Sequence, residues 1–281
     1  MHDFNRVFDI AIVNVVMTKS RRLEEMRKAF ARRDVQASAL AHAPERIAQE
    51  QHGGASDVYI GNMVYGGLDG ILTTFAVVSG VAGAKLGSGI VLILGMANLL
   101  ADGFAMAIGA YLSSKSEKEY YQREWQREAW EVEHFPEGER AELYEVYRSH
   151  SYSEEDARSL VDIQARDPER WVKAMMINEL GMLQDERKPL FSALATLVSF
   201  ILAGFMPLIV YVLGLFYPIS STESFTVSVI LSALTIFGLG VAKVTVTKLN
   251  PFRSGLEMLL VGGLAASVAY VVGALLRGIV G

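Results

Sequence analysis

Met175, Met176 and Glu179 stand close together in the stretch RWVKAMMINELGML. Thioethers are soft ligands and a carboxylate is a hard one, so this group could share a transition-metal ion. More carboxylates recur upstream at helical spacing. Glu117, Glu124, Glu128 and Glu131 fall near one face of a helix in SSKSEKEYYQREWQREAWEVEHF, which has no Gly or Pro before Pro136. Glu139, Glu142 and Glu145 follow three residues apart, in a helix expected to begin near Pro136. Like charges on one exposed helix face repel by roughly 0.2–0.5 kcal/mol per pair, and a cation between them removes that cost. Plain solvation also produces acidic faces, and paired methionines can make a small hydrophobic contact. Residue types alone leave both readings open.

A second set of polar residues sits where the chain is otherwise apolar. Asn62, Gly66, Asp69 and Thr73 share one helical face, and Asn98, Asp102 and Met106 repeat every four residues. An ionisable group at membrane depth is costly, which makes it a functional candidate by default. Two such faces brought together would give a line of oxygen ligands with one thioether. That chemistry suits a divalent transition metal better than calcium or magnesium. The alternative is that Asp69 and Asp102 cap or kink helices beside Gly70 and Gly103. Gly66 and Gly70 permit close helix approach, either between subunits or inside one.

The elements that must carry these residues are legible in composition. Half of the 281 residues are apolar (51%), although 20% are charged, and the two kinds are segregated into long runs. Five runs reach the length of about 20 residues that a helix needs to cross a bilayer. They lie at 62–84, 89–112, 190–216, 224–247 and 255–276. Pro207 is expected to kink the third. The chain has no cysteine, which excludes disulfides and thiolate metal sites. A net charge of −5 argues against a nucleic-acid partner.

Lys115, Lys118, Arg187 and Lys188 flank spans two and three, and Lys248 and Arg253 separate spans four and five. The loop at 85–88 has only Lys85, and that at 217–223 has no Lys or Arg. By the positive-inside rule the N-terminus and the 113–189 insertion are cytoplasmic and the C-terminus is on the far side. The early apolar stretch IAIVNVV is short and is followed by positive charge, so no cleavable signal peptide is expected. Residues 21–55 read as a cytoplasmic amphipathic helix or a loosely held tail, solvated rather than membrane-bound. In the insertion, Ser153 is placed to cap a helix with Asp156 completing a box, and Asp167 with Pro168 to open the next.

Taken together, GGLDGILTTFAVVSG, LLADGFAMAIGAYLSSKSEKEYY, the acidic insertion, WVKAMMINELGM and NPFRSGLEMLLVGG resemble the vacuolar iron transporter family over roughly residues 45–281. That family comprises proton-coupled exporters of ferrous iron and related divalent metals. The resemblance implies an all-α membrane protein, a homodimer with five transmembrane helices per subunit. A cytoplasmic helical metal-binding insertion between helices two and three would load or buffer metal. It implies Glu128, Glu131, Glu139, Glu142, Met175, Met176 and Glu179 as cytoplasmic ligands, and Asp69 and Met106 on a path at the dimer interface. The chain departs from the family at one place. Characterised members have a glutamate eight residues before the methionine of the second span; here that position is Asn98, with Asp102 one turn later the nearest carboxylate. Either Asp102 takes over the role or proton coupling differs.

The expected organisation is a cytoplasmic helical tail at 1–61, helices one and two at 62–112, the acidic metal-binding domain at 113–189, and helices three to five at 190–281. The expected function is export of Fe2+, with Mn2+, Co2+ and Zn2+ as further candidates, in exchange for protons. No permanently bound cofactor, no enzymatic activity and no nucleic-acid partner are expected. Lack of a targeting signal and a compact chain favour a bacterial inner membrane over a vacuolar one. A membrane-anchored metal store or ferrous oxidase is the competing reading, but its usual Glu-x-x-His pairs are missing around His134 and His150. A metal-responsive sensor is the third.

Overall fold

The computed structural model describes residues 21–44, 55–247 and 250–280. The IAIVNVV stretch, the 45–54 end of the tail and Lys248 lie outside the described residues. Every regular element among the described residues is helical. Two compact units are formed: one from residues up to Ala110 together with Leu190–Gly281, the other from Tyr111–Pro189.

In the first unit, α1 (Arg21–Arg32) and α2 (Val35–Ala41) form the tail. The turn between them passes through Arg33 in a left-handed conformation (φ +54°), and Asp34 caps α2 by accepting the Ala37 N–H at 2.9 Å. The long apolar helices follow: α3 (Ala55–Gly83), then α4 (Ser88–His134), which belongs to this unit only up to Ala110.

The third apolar run is broken. Helix α8 (Pro189–Phe205) ends in a 3-10 turn at Met206–Leu208, and the short α9 (Ile209–Leu213) follows. The break is where Pro207 removes a backbone donor. The buried Ser228 hydroxyl donates to the Pro207 carbonyl at 2.8 Å. Helices α10 (Ser221–Thr247) and α11 (Pro251–Val280) complete the set. Ser220 and Glu223 make a reciprocal capping box at the start of α10, and the Asn250 side chain accepts the Phe252 N–H at the start of α11. Among the described residues, five helices are long and apolar enough to cross a membrane, spanning Tyr59–Gly83, Ser88–His134, Pro189–Leu213, Ser221–Val244 and Pro251–Gly278. The chain is a multi-pass membrane protein.

Small residues decide how these helices meet. A methyl group on Gly66 would come within 2.7 Å of the Thr196 carbonyl, and one on Gly70 would collide with the Phe200 backbone. Gly204 in turn approaches the Gly70 carbonyl and Leu99. The GGLDG glycines are therefore spent on α8 within one subunit, the second of the two options left open by sequence. The core around this crossing contains Ile71, Phe75, Val78, Leu99, Phe200 and Leu208.

In the second unit, the end of α4 is followed by α5 (Pro136–Ser149), α6 (Glu154–Gln164) and α7 (Pro168–Asn178). Helix α4 runs unbroken through 47 residues, and its part from Ser113 onward has no Gly or Pro, as the sequence predicts for a long continuation of the second span. Ser153 caps α6 by accepting the Asp156 N–H at 3.1 Å, and Asp167 caps α7 by accepting the Arg170 N–H at 2.9 Å. Both caps were expected from sequence. The unit has its own core, built on Val132, Leu143, Tyr147, Val161, Trp171 and Val172.

Candidate metal site in the acidic helical unit

Helix α7 explains the paired methionines first. Trp171, Val172, Ala174, Met175 and Met176 are all buried, and both methionines are 0% exposed within the unit's core. The charged surroundings in sequence conceal a core helix, so the two thioethers are packing residues whatever else they do. The helix ends at Glu179, whose N–H returns to the Met175 carbonyl at 3.0 Å. Gly181 then takes a left-handed conformation (φ +64°), which lets the Met182 N–H reach the Met176 carbonyl at 2.7 Å. Glu179 is half-buried at this turn.

The carboxylates gather from two helices. Glu128 and Glu131 on α4 and Glu139 on α5 each offer an oxygen, and these atoms lie within 4.8 Å of one another. Glu128 is 1% exposed and Glu139 3%. One oxygen of each, together with Oε2 of Glu179, is buried with no hydrogen-bond partner. Buried carboxylate oxygens in that condition are costly unless protonated or bound to a cation. Burial raises the Glu139 carboxyl to about 8, helped by the charges of Glu128, Glu142, Glu131 and Glu179. Burial, then Glu128 and Glu142, raise Glu179 to about 7 despite Arg127. Glu128 is also raised, by burial first, although the neighbouring Arg127 pulls it down.

Glu142 is exposed and contributes its charge from the rim. Glu117 shares the helix with the cluster but has partners of its own. It accepts from Arg187 at 2.7 Å and from Ser113 at 3.1 Å, well away in sequence from the cluster. Arg127 escaped the sequence reading. It pairs with Glu124, Glu128 and Glu131, and its i−3, i+1 and i+4 spacing to them is visible in EWQREAWE.

In the membrane unit, Asp69 on α3 and Asp102 on α4 are both half-buried, and the charge of Asp102 reaches Asp69. Met106 packs on the apolar core. Asn98 is half-buried, and its amide nitrogen has no hydrogen-bond partner. The expected line of oxygens on α3 is divided. Asn62 donates to Thr196 of α8 at 3.5 Å, and the Thr73 hydroxyl donates to the Asp69 carbonyl at 2.8 Å. Asp69 is thus the one carboxylate of α3 in that face, with Asp102 the nearest on α4.

The sequence profile of the VIT family matches residues 60–274. The chain belongs to the VIT family. The vacuolar iron transporter of Toxoplasma gondii is 37% identical over 94% of this chain and 92% of its own. The vacuolar iron transporter of Plasmodium falciparum is 34% identical over 92% of this chain and 97% of its own. Vacuolar iron transporter 1 of Arabidopsis thaliana is 32% identical over 79% of this chain and 87% of its own. Membership of the VIT family makes the chain a transport protein rather than an enzyme. It also gives the two polar groups a common context: a carboxylate cluster in the helical unit, and two aspartates among membrane-crossing helices.

Proposed function

We propose that this VIT-family member moves Fe2+ out of the cytoplasm in exchange for protons, with Mn2+, Co2+ and Zn2+ as further cargo. Metal ion transport itself follows from family membership. The observation that carries the finer reading is the Glu128–Glu131–Glu139 cluster, in which the buried, unpartnered oxygens of Glu128 and Glu139 match what a divalent cation needs. In this reading the cytoplasmic 113–189 domain collects the ion on Glu128, Glu131, Glu139, Glu142 and Glu179. Met175 and Met176 lie four and three residues back, about one turn, on the helix that Glu179 closes and lend the soft donors.

The ion then passes to a path through the homodimer lined by Asp69, Asn98, Asp102 and Met106. A proton arriving from the far side neutralises Asp69 and releases the ion. Asp102 takes the second carboxylate role that Asn98 cannot, because an amide neither ionises nor carries a proton in this range. The direction is the same whether the membrane is a bacterial inner membrane, as the sequence reading favours, or a vacuolar one, as the relatives' names state for them.

The test is flux. The protein is reconstituted in liposomes enclosing a metal-quenched dye and a pH dye, and Fe2+ or Mn2+ is added with and without a proton gradient. Gradient-dependent metal entry coupled to proton movement supports the reading. Tight metal binding without flux, in folded and inserted protein, replaces it with a membrane-anchored store.

A further inference from the structure

Arg127 precedes Glu128 on α4, and its guanidinium is committed to three carboxylates. Nε donates to Glu124 at 3.0 Å, Nη1 donates to Glu131, and Nη2 donates to Oε1 of Glu128. Two of these acids belong to the Glu128–Glu131–Glu139 cluster. An exposed Glu–Arg pair on a helix is worth little. This one differs because Glu128 is 1% exposed while the Arg127 side chain is 43% exposed. The cation therefore reaches in from the solvent edge to a buried acid.

A guanidinium stays charged, has only donors, and cannot ligate a metal. While it is docked, one oxygen of Glu128 carries the guanidinium hydrogen bond, and Oε2 is the oxygen without a partner. Bidentate use of Glu128, or full use of Glu131, has to compete with Arg127 for the same lone-pair density. Its exposure gives it solvent to swing into. Its positive charge also repels an arriving dication through a short, partly desolvated distance.

We infer that Arg127 is a tethered counter-ion of this carboxylate site. It competes with the divalent ion for Glu128 and Glu131 and so weakens binding, keeping a site with many carboxylates able to unload. The inference rests on the reading of these carboxylates as the cargo's binding site, and adds a residue that opposes the cargo there. A residue that only positioned Glu128 and Glu131 would act with the opposite sign, since its loss would weaken binding.

The experiment is Mn2+ titration by calorimetry on the full-length protein in nanodiscs at pH 7, with helicity checked by circular dichroism. The proteins compared are the wild type, Arg127→Gln, Arg127→Lys and Glu139→Gln. Arg127→Gln is expected to bind Mn2+ about tenfold more tightly, because one positive charge at hydrogen-bond range is removed. Arg127→Lys, which retains the charge, is expected to stay near the wild type. Unchanged or weaker binding in Arg127→Gln, with Glu139→Gln impaired, overturns the counter-ion role and leaves the site standing. So does tightening in Arg127→Lys equal to that in Arg127→Gln. No Mn2+ binding by the wild type, or none lost in Glu139→Gln, removes the site itself and the inference with it.

Discussion

The membrane bundle and the acidic helical unit bury different polar groups: hydroxyls in the one, carboxylates in the other. In the bundle, several hydroxyls return to their own helix: Thr73 to Asp69, Thr196 to Ser192, Ser199 to Ala195, Thr235 to Leu231 and Ser267 to Gly263, whereas Ser228 reaches the Pro207 carbonyl. Helices meet through glycine, with Gly66 and Gly70 seated on the α8 backbone. Such packing suits a solvent that offers no hydrogen bonds and no hydrophobic drive between helices. The acidic unit instead holds a soluble-type core and places carboxylates at its edge, two of them almost fully buried, with oxygens left unpartnered. The bundle carries few charges, and on the facing stretches of α3 and α4 they are Asp69 and Asp102. The acidic unit concentrates charge to the point where a cation becomes its natural complement.

That contrast can be broken at either end. The largest effect is expected from Asp69→Asn, which should abolish metal flux in liposomes while leaving Mn2+ binding to the acidic unit unchanged. Flux that survives would remove Asp69 from the mechanism. Next comes Met175→Ala. Met175 is 0% exposed, and truncating a buried side chain of this size costs about 2–5 kcal/mol. Thermal unfolding should show that loss even in chelator, and a loss seen only with metal present would instead make the thioether purely a ligand.

The pH dependence sharpens the same distinction. Glu139 and Glu179 rise from the usual 4.5 to about 8 and about 7 in the folded unit. For raised carboxyls the stabilising contribution is complete below the unfolded value and is lost as pH rises through the folded value. In chelator the melting temperature of the acidic unit should therefore fall between pH 5 and pH 8 (both about the titration limits set by those shifts). Added Mn2+ should stabilise it most at the upper end, where the ligands are ionised. A melting temperature that climbs with pH in chelator would contradict the buried carboxylates. The smallest effect is expected from Asp167→Ala, which removes the α7 cap at a cost of about 1 kcal/mol, read by the same melt, with flux unaffected.

Much of the fold was legible because it is local. Proline, capping side chains and runs of about 20 apolar residues act within a turn or within one helix. Ser153, Asp167, Pro168, the unbroken α4 and the interruption at Pro207 all belong to that class. Composition also marked the acidic residues and the two membrane aspartates, because charge in an apolar run, or clustered at helical spacing, is conspicuous without coordinates.

Only tertiary structure could decide which of these groups leave water. It makes Met175 and Met176 core residues although their neighbours in sequence are charged, because Trp171 and Val172 turn the same helix inward. It separates Glu117, paired with Arg187, from Glu128, buried against α5. It seats Gly66 and Gly70 on α8, and it aims Arg127 at Glu128 and Glu131. Sequence determines what a side chain can do and which turn of the helix carries it. Burial and partnership depend on residues dozens of positions away, and those two quantities decide whether a carboxylate is a solvated charge or a ligand.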